Sequence, residues 1–257
     1  MNRLQTLFSN NPKNLLSIYF TAGYPNLGDT LAIAKSLEEA GADFLEIGFP
    51  YSDPVADGQV IQASSKQALD NGMTLNLLFE QLADLRKQIQ IPILLMGYVN
   101  VVLQYGVEKF CAKCQELGID GCIIPDLPMY EYENLYQPLF EKYHLSNIFL
   151  VTPQTSEERI RKIDELTNSF IYLVSSASTT GNNIADDHKA EAYFNRIANM
   201  KLKNPVVIGF GISNRDTFGK ACKYANGAII GSAFVKQLKE GYSAQSINDF
   251  IAEIKFE

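Results

Sequence analysis

The sequence predicts an α/β chain folded as a single (β/α)8 TIM barrel spanning residues 1–257, with a helix near its N-terminus capping one end. Three observations predict it. Eight short β-rich runs recur along the whole length. Helix-period segments separate them, and no Pro-, Gly- or Ser-rich linker divides the chain. A chain of this length buries roughly 70–75% of its unfolded surface, enough for one large core.

Residues 1–14 are expected to form the helix that closes the bottom of the barrel. The runs follow as LLSIYFTAG (15–23), DFLEIGF (43–49), IPILLMGY (91–98), DGCIIPD (120–126), NIFLVTP (147–153), FIYLVSS (170–176), NPVVIGFG (204–211) and GAIIGSA (227–233). Most are near-continuous Ile, Leu, Val and Phe, as parallel strands covered on both faces require. LGDTLAIAKSLEEAGA, TLNLLFEQLADLRKQI, VEKFCAKCQELG, ENLYQPLFEKYH, TSEERIRKIDELTN and AEAYFNRIANM carry helical periodicity. Asp29 or Thr30, Thr74, Ser156 and Ser213 are suited to start helices, and Gly41 and Gly118 to end them. Pro138 inside ENLYQPLFEKYH predicts a kink or a late start.

Composition excludes several function classes. With 22 basic and 29 acidic residues the net charge is −7, which offers no basic stripe for nucleic acid. A small phosphorylated ligand remains compatible, because backbone amides bind phosphate without Lys or Arg. No apolar run approaches the ~18 residues of a membrane span, and MNRLQTLFSNNPKN has no secretory pattern, so the expected location is cytoplasmic. Cys111, Cys114, Cys122 and Cys222 read as reduced thiols, with the Cys111–Cys114 pair packing on a helix. His144 and His188 are the only histidines, so neither a metal site nor a histidine-activated nucleophile is expected. The chemistry falls to carboxylates, hydroxyls and backbone.

Barrel active sites lie at the C-terminal ends of the strands. In DFLEIGF, Phe44, Glu46 and Gly48 share one face while Leu45, Ile47 and Phe49 share the other. The apolar face belongs against helices, so Glu46 points into the barrel, where desolvation prepares a carboxyl for acid/base work. The alternative is a structural carboxylate tied to amides or a lysine. The loop PYSDPVADGQ (50–59) places Asp53 and Asp57 above it, and Asp57 is the second candidate, while Asp53 also suits a simple turn. Gly209-Phe210-Gly211 and Gly231-Ser232, after the last two runs, suit a phosphate pocket. SSASTTGNNIADD (175–187) suits a lid, and Tyr172 just before it either projects into the pocket or packs. The residues alone point to proton-transfer, aldol or isomerase chemistry on a small phosphorylated substrate.

LEIGFPYSDPVADG (45–58), FTAGYP (20–25), IIPDLP (123–128), STTG (178–181), GFGIS (209–213) and GSAFVK (231–236) together resemble the tryptophan synthase alpha chain family. The resemblance implies a lyase that cleaves indole-3-glycerol phosphate to indole and glyceraldehyde 3-phosphate. It implies that Glu46 is the acid/base residue and that Asp57 holds the indole N–H. It places Tyr172 beside the glycerol chain, and Tyr19, Met96 and Phe210 around the indole. Gly181, Gly211, Gly231 and Ser232 would cradle the phosphate, with Thr180 in the lid against the substrate. It implies no cofactor in this chain, and a partner beta chain that carries pyridoxal phosphate, two alpha and two beta chains together. The lid departs from the family's G-V-T-G, since Ser178-Thr179 stands where Gly-Val is usual.

Overall fold

The computed structural model describes residues 1–10, 12–174, 188–209 and 211–255. Nine parallel strands run β1 (Leu15–Thr21), β2 (Phe44–Gly48), β3 (Ile93–Met96), β4 (Gly121–Ile123), β5 (Ser146–Ile148), β6 (Leu150–Val151), β7 (Ile171–Val174), β8 (Val206–Gly209) and β9 (Gly227–Ile230). Their order in the sheet is β5-β4-β3-β2-β1-β9-β8-β7-β6. The two ends of that order, β5 and β6, are halves of one predicted run. β5 pairs with β4 and β6 with β7, with Phe149 between them. The Tyr172 N–H donates to the Phe149 carbonyl at 3.0 Å. The eight predicted runs thus become nine strands because the fifth bends at Phe149, and the barrel closes across that bend.

Parallel partners lie side by side and share a face, so register defines the interior layers. Tyr19 pairs with Glu46 and Glu46 with Leu94; one layer higher, Thr21 pairs with Gly48 and Gly48 with Met96. At the bottom, Phe44 meets Phe8 and Phe170 with ring centroids 5.9 and 5.5 Å apart. Phe8 belongs to the helix Arg3–Phe8, which buries Leu4 and Phe8 and is capped by the Asn2 side chain accepting from the Gln5 N–H. The expected plug is present, confined to the six residues whose apolar face meets the barrel floor.

The floor is fastened by Asp120, which is 1% exposed. Its carboxylate accepts from the Arg86 guanidinium at 2.7 Å, the Ile93 N–H at 3.0 Å and the Arg3 N–H at 3.1 Å. Arg86 also donates to the carbonyls of Gly118, Ile89 and Ile91. Removing one member of a buried pair strands the other charge. Asp120→Ala is therefore expected to destabilise the chain by about 3–5 kcal/mol. Urea unfolding checks this, and an unchanged midpoint would show the pair to be dispensable.

Most predicted boundaries stand, with local corrections. Thr74 accepts from the Leu77 N–H and Ser156 from the Arg159 N–H. Gly118, at φ +74°, ends the helix Val107–Leu117 in the left-handed conformation. Asp29 makes no cap bond; its carboxylate instead accepts from the Asn26 amide. The cap expected of Ser213 falls one residue later: Asn214 accepts from the Thr217 N–H, with the Thr217 hydroxyl reaching back. TLNLLFEQLADLRKQI is two helices, Leu75–Gln81 and Leu85–Gln88, joined by a turn, and Leu82 and Leu85 are both buried. In ENLYQPLFEKYH the α-helix runs Gln137–Lys142, with Pro138 in its first turn. A π-helical turn, Tyr132–Tyr136, precedes it. Burial pushes the Cys111 thiol up to about 12 and Cys114 well above its usual value, so both are protonated packing groups beside Cys122.

Candidate active site

Glu46 sits in the barrel interior on β2, fully buried. Among the described residues its carboxyl takes one hydrogen bond, a long one from the Ser17 hydroxyl to Oε1 at 3.4 Å, and Oε2 has no partner. A carboxylate held for structure would have its oxygens satisfied by amides or a cation. Burial instead pushes its pKa up to about 8, so the group is protonated at neutral pH and able to release that proton.

Asp57 lies on the loop after β2, just before the helix Gln59–Asp70. Its N–H donates to the Pro54 carbonyl at 3.0 Å, and its carbonyl accepts from the Gln62 amide at 2.8 Å. The Tyr98 hydroxyl donates to Oδ2 at 3.1 Å. Burial raises the Asp57 pKa to about 6, with the Tyr98 bond pulling the other way. Asp53 is exposed, and its carboxylate takes a bond from the adjacent Ser52 hydroxyl, the local turn role.

Two buried tyrosines lie within electrostatic reach of both carboxylates. Burial, and then the charge of Asp57, hold the Tyr19 phenol well above its usual pKa, with Glu46 adding to the effect. Burial, then Glu46 and Asp57, do the same to Tyr172. Each ring lies over a glycine of the neighbouring strand. A Cβ at Gly48 would stand 2.2 Å from the Tyr19 hydroxyl oxygen, and one at Gly209 would stand 2.0 Å from that of Tyr172. The Tyr172 ring is buried in the barrel interior over Gly209.

Tyr19, Phe49, Tyr51, Asp57, Met96 and Tyr98 line a narrow cleft, with Ser65, Gly97 and Pro125 beside them. Its walls are aromatic rings and a thioether, and the Tyr51 and Tyr98 rings stack at 5.2 Å. Such a slot suits a flat aromatic ligand with one polar edge, and Asp57 is the polar group at that edge. Gly211 is left-handed at φ +74°. Gly231 precedes the helix Ser232–Gln237, whose first N–H groups have no intrahelical partner. Gly231 lies against the Tyr19 ring, with its ideal Cβ position 3.5 Å from the ring edge. Thr180, Gly181 and Phe210, and the whole segment 175–187, lie outside the described residues.

Tyr98, Phe49 and Tyr51 were not singled out by the sequence. Tyr98 ends the run IPILLMGY, so its place at a strand's C-terminal end was the available signal. Among the described residues, no group of three His, Cys, Asp or Glu side chains could hold a metal, and no helix is long and apolar enough to cross a membrane.

A family model described as tryptophan synthase alpha chain matches residues 4–255. The tryptophan synthase alpha chain of Flavobacterium johnsoniae is 57% identical over 255 residues, covering 99% of this chain and 100% of that one. Among solved structures, tryptophan synthase from Mycobacterium tuberculosis superposes with a TM-score of 0.88 at 30% identity, over 98% of this chain and 96% of that one. A tryptophan synthase complex from Pyrococcus furiosus superposes with a TM-score of 0.85 at 33% identity, over 95% and 98% of the two chains.

Proposed function

This chain belongs to the tryptophan synthase alpha chain family, and we propose that Glu46 and Asp57 carry that family's reaction in it. It is a carbon–carbon lyase of L-tryptophan biosynthesis. It cleaves indole-3-glycerol phosphate to indole and glyceraldehyde 3-phosphate. We read the whole of 1–257 as one catalytic domain.

The indole occupies the slot between Tyr19 and Met96, closed by Phe210, with its N–H on Asp57. Protonated Glu46 gives its proton to indole C3, and positive charge develops at the ring nitrogen opposite Asp57. The resulting Glu46 carboxylate takes the proton of the glycerol hydroxyl beside the ring. As that hydroxyl becomes an aldehyde, the carbon–carbon bond breaks and its electron pair restores the aromatic indole. Glu46 ends the cycle protonated. Tyr172 packs beside the glycerol chain, with Thr180 over the substrate. Backbone amides of Gly181, Gly211, Gly231 and Ser232 hold the phosphate. The observation that supports this reading best is the buried Glu46 carboxyl with an unpartnered Oε2, close to an aromatic cleft edged by Asp57.

The partner we propose is the beta chain, two alpha and two beta chains together, with pyridoxal phosphate in the beta chain. The docking rim is residues 53–60 and 126–134, where Val55 is 83% and Tyr130 73% exposed. Large apolar side chains so open to water gain from a protein partner. The proposed compartment is the cytoplasm. Indole release from indole-3-glycerol phosphate, by this chain alone and with a beta chain, tests the reading. The expected result is slow release alone and faster release with the partner. No indole in either arm would refute it.

A further inference from the structure

We propose that Tyr98 is the positioning residue for Asp57: it holds one carboxylate oxygen so that the other faces the substrate. This rests on the reading of Asp57 given above and deepens it.

The Tyr98 hydroxyl makes two bonds to adjacent residues of the loop. It donates to Asp57 Oδ2 at 3.1 Å and accepts from the Ala56 N–H at 3.0 Å. It therefore fixes both the loop backbone and the carboxylate's rotation. Asp57 Oδ1 makes no hydrogen bond to a described residue, so the oxygen that Tyr98 leaves open is the one available to a ligand N–H.

The phenol itself is held. Tyr98 is buried, and its ring stacks on Tyr51 at an interplanar angle of 31°. The Asn100 amide donates to the Tyr51 hydroxyl at 3.2 Å. On the backbone side, the Val99 N–H donates to Asp126 Oδ1 at 2.9 Å, so the loop after β4 fixes the residue that follows Tyr98. A donor anchored on ring and backbone presents its proton in one direction, as preorganised electrostatics requires. A residue that only lined the cleft would need the ring but not the hydroxyl. Here the hydroxyl has both a donor and an acceptor in the Asp57 loop.

The role predicts a specific pH behaviour. Tyr19 on β1, Tyr172 on β7 and Tyr98 after β3 lie within electrostatic reach of Asp57, with Glu46 acting on Tyr19 and Tyr172 and Asp126 acting on Tyr98 from the loop after β4. Of these, Tyr98 is the group that donates a proton bond to the carboxylate. Its loss therefore favours the protonated acid and moves the Asp57 titration upward.

The test is Tyr98→Phe, Asp57→Asn and the double variant, assayed for indole release as purified chains with unfolding midpoints measured alongside. Tyr98→Phe keeps the ring and its stack. Its kcat at neutral pH is expected to fall about tenfold, the order of a lost bond to a charged group, with KM changing less than about threefold. The acid limb of its kcat profile is expected to move up by roughly half a unit or more. Because Tyr98 acts through Asp57, the double variant is expected to be no slower than Asp57→Asn alone. Wild-type kcat and acid limb in Tyr98→Phe, beside an inactive Asp57→Asn, would overturn the positioning role alone. Multiplying effects in the double variant would do the same, by showing that the tyrosine acts independently. An active Asp57→Asn would overturn the reading of Asp57 and this proposal with it.

Discussion

Glu46→Gln is expected to lower turnover by roughly 10²–10⁴-fold while leaving the fold intact, the range supplied by a well-placed proton-transfer group. Glutamine preserves the volume and can still take the Ser17 bond, so packing is not the cause of the loss. What goes is the exchangeable proton. A variant retaining more than about a tenth of wild-type turnover would remove Glu46 from the chemistry. The same substitution has a stability signature. The folded-state pKa of about 8 lies above the ordinary value of 4.5, so folding binds this proton more tightly. The stability linked to it is fully present below the unfolded value, near 4.5, and is lost as pH rises through about 8. Glutamine never ionises. Glu46→Gln is thus expected to unfold at higher urea than the wild type at pH 9, by a margin of order a few kcal/mol, and the margin is expected to shrink toward pH 5. Loss of activity with a gain in alkaline stability separates a functional carboxyl from a structural one, which would lose both.

Asp57→Asn is expected to reduce kcat by about 10²–10³-fold with a much smaller change in KM, as when one preorganised electrostatic contact is removed. Asparagine keeps the shape of the side chain and one acceptor oxygen for the ligand N–H, so most ground-state binding survives. It has no charge to set against the cationic ring that forms when C3 is protonated, and that interaction belongs to the transition state. A rise in KM alone, with kcat preserved, would reassign Asp57 to binding. With Asp57 ionised above about 6 and Glu46 protonated below about 8, wild-type kcat is expected to be bell-shaped between those values. The Asp57→Asn variant should lose the acid limb and Glu46→Gln the alkaline one, in whatever residual activity each keeps.

The barrel was legible because its signals are local and repeated. Each run is short, apolar and bounded, and Thr74 and Ser156 stand where they cap. Glu46 was legible from alternation alone, since one charged side chain in an apolar strand must face one way or the other. The features that were not legible depend on distant parts of the chain. The bend at Phe149 arises because β5 and β6 must meet β4 and β7 from opposite sides, which no window of residues reveals. Asn214 won the cap over Ser213 through reciprocal bonding with Thr217, a competition between neighbours of equal propensity. Tyr98 was passed over because a tyrosine ending an apolar strand reads as packing until the Asp57 loop is folded against it.

The glycines beneath the two phenols bear on how such a site can vary. Gly48 and Tyr19 occupy one volume between them, as do Gly209 and Tyr172, with ideal Cβ positions only 2.2 and 2.0 Å from the hydroxyl oxygens. Each pair therefore behaves as a single locus written at two places in the chain. A methyl group at 48 has room only in a chain that has given up the ring at 19, and a bulkier residue at 209 only in one that has shrunk the residue at 172. The glycine cannot grow while the ring stays, although the ring can shrink over an unchanged glycine. A lineage that enlarges position 48 or 209 therefore passes first through a smaller residue at 19 or 172, and a library that varies 48 or 209 with the tyrosines fixed samples mostly crowded sites.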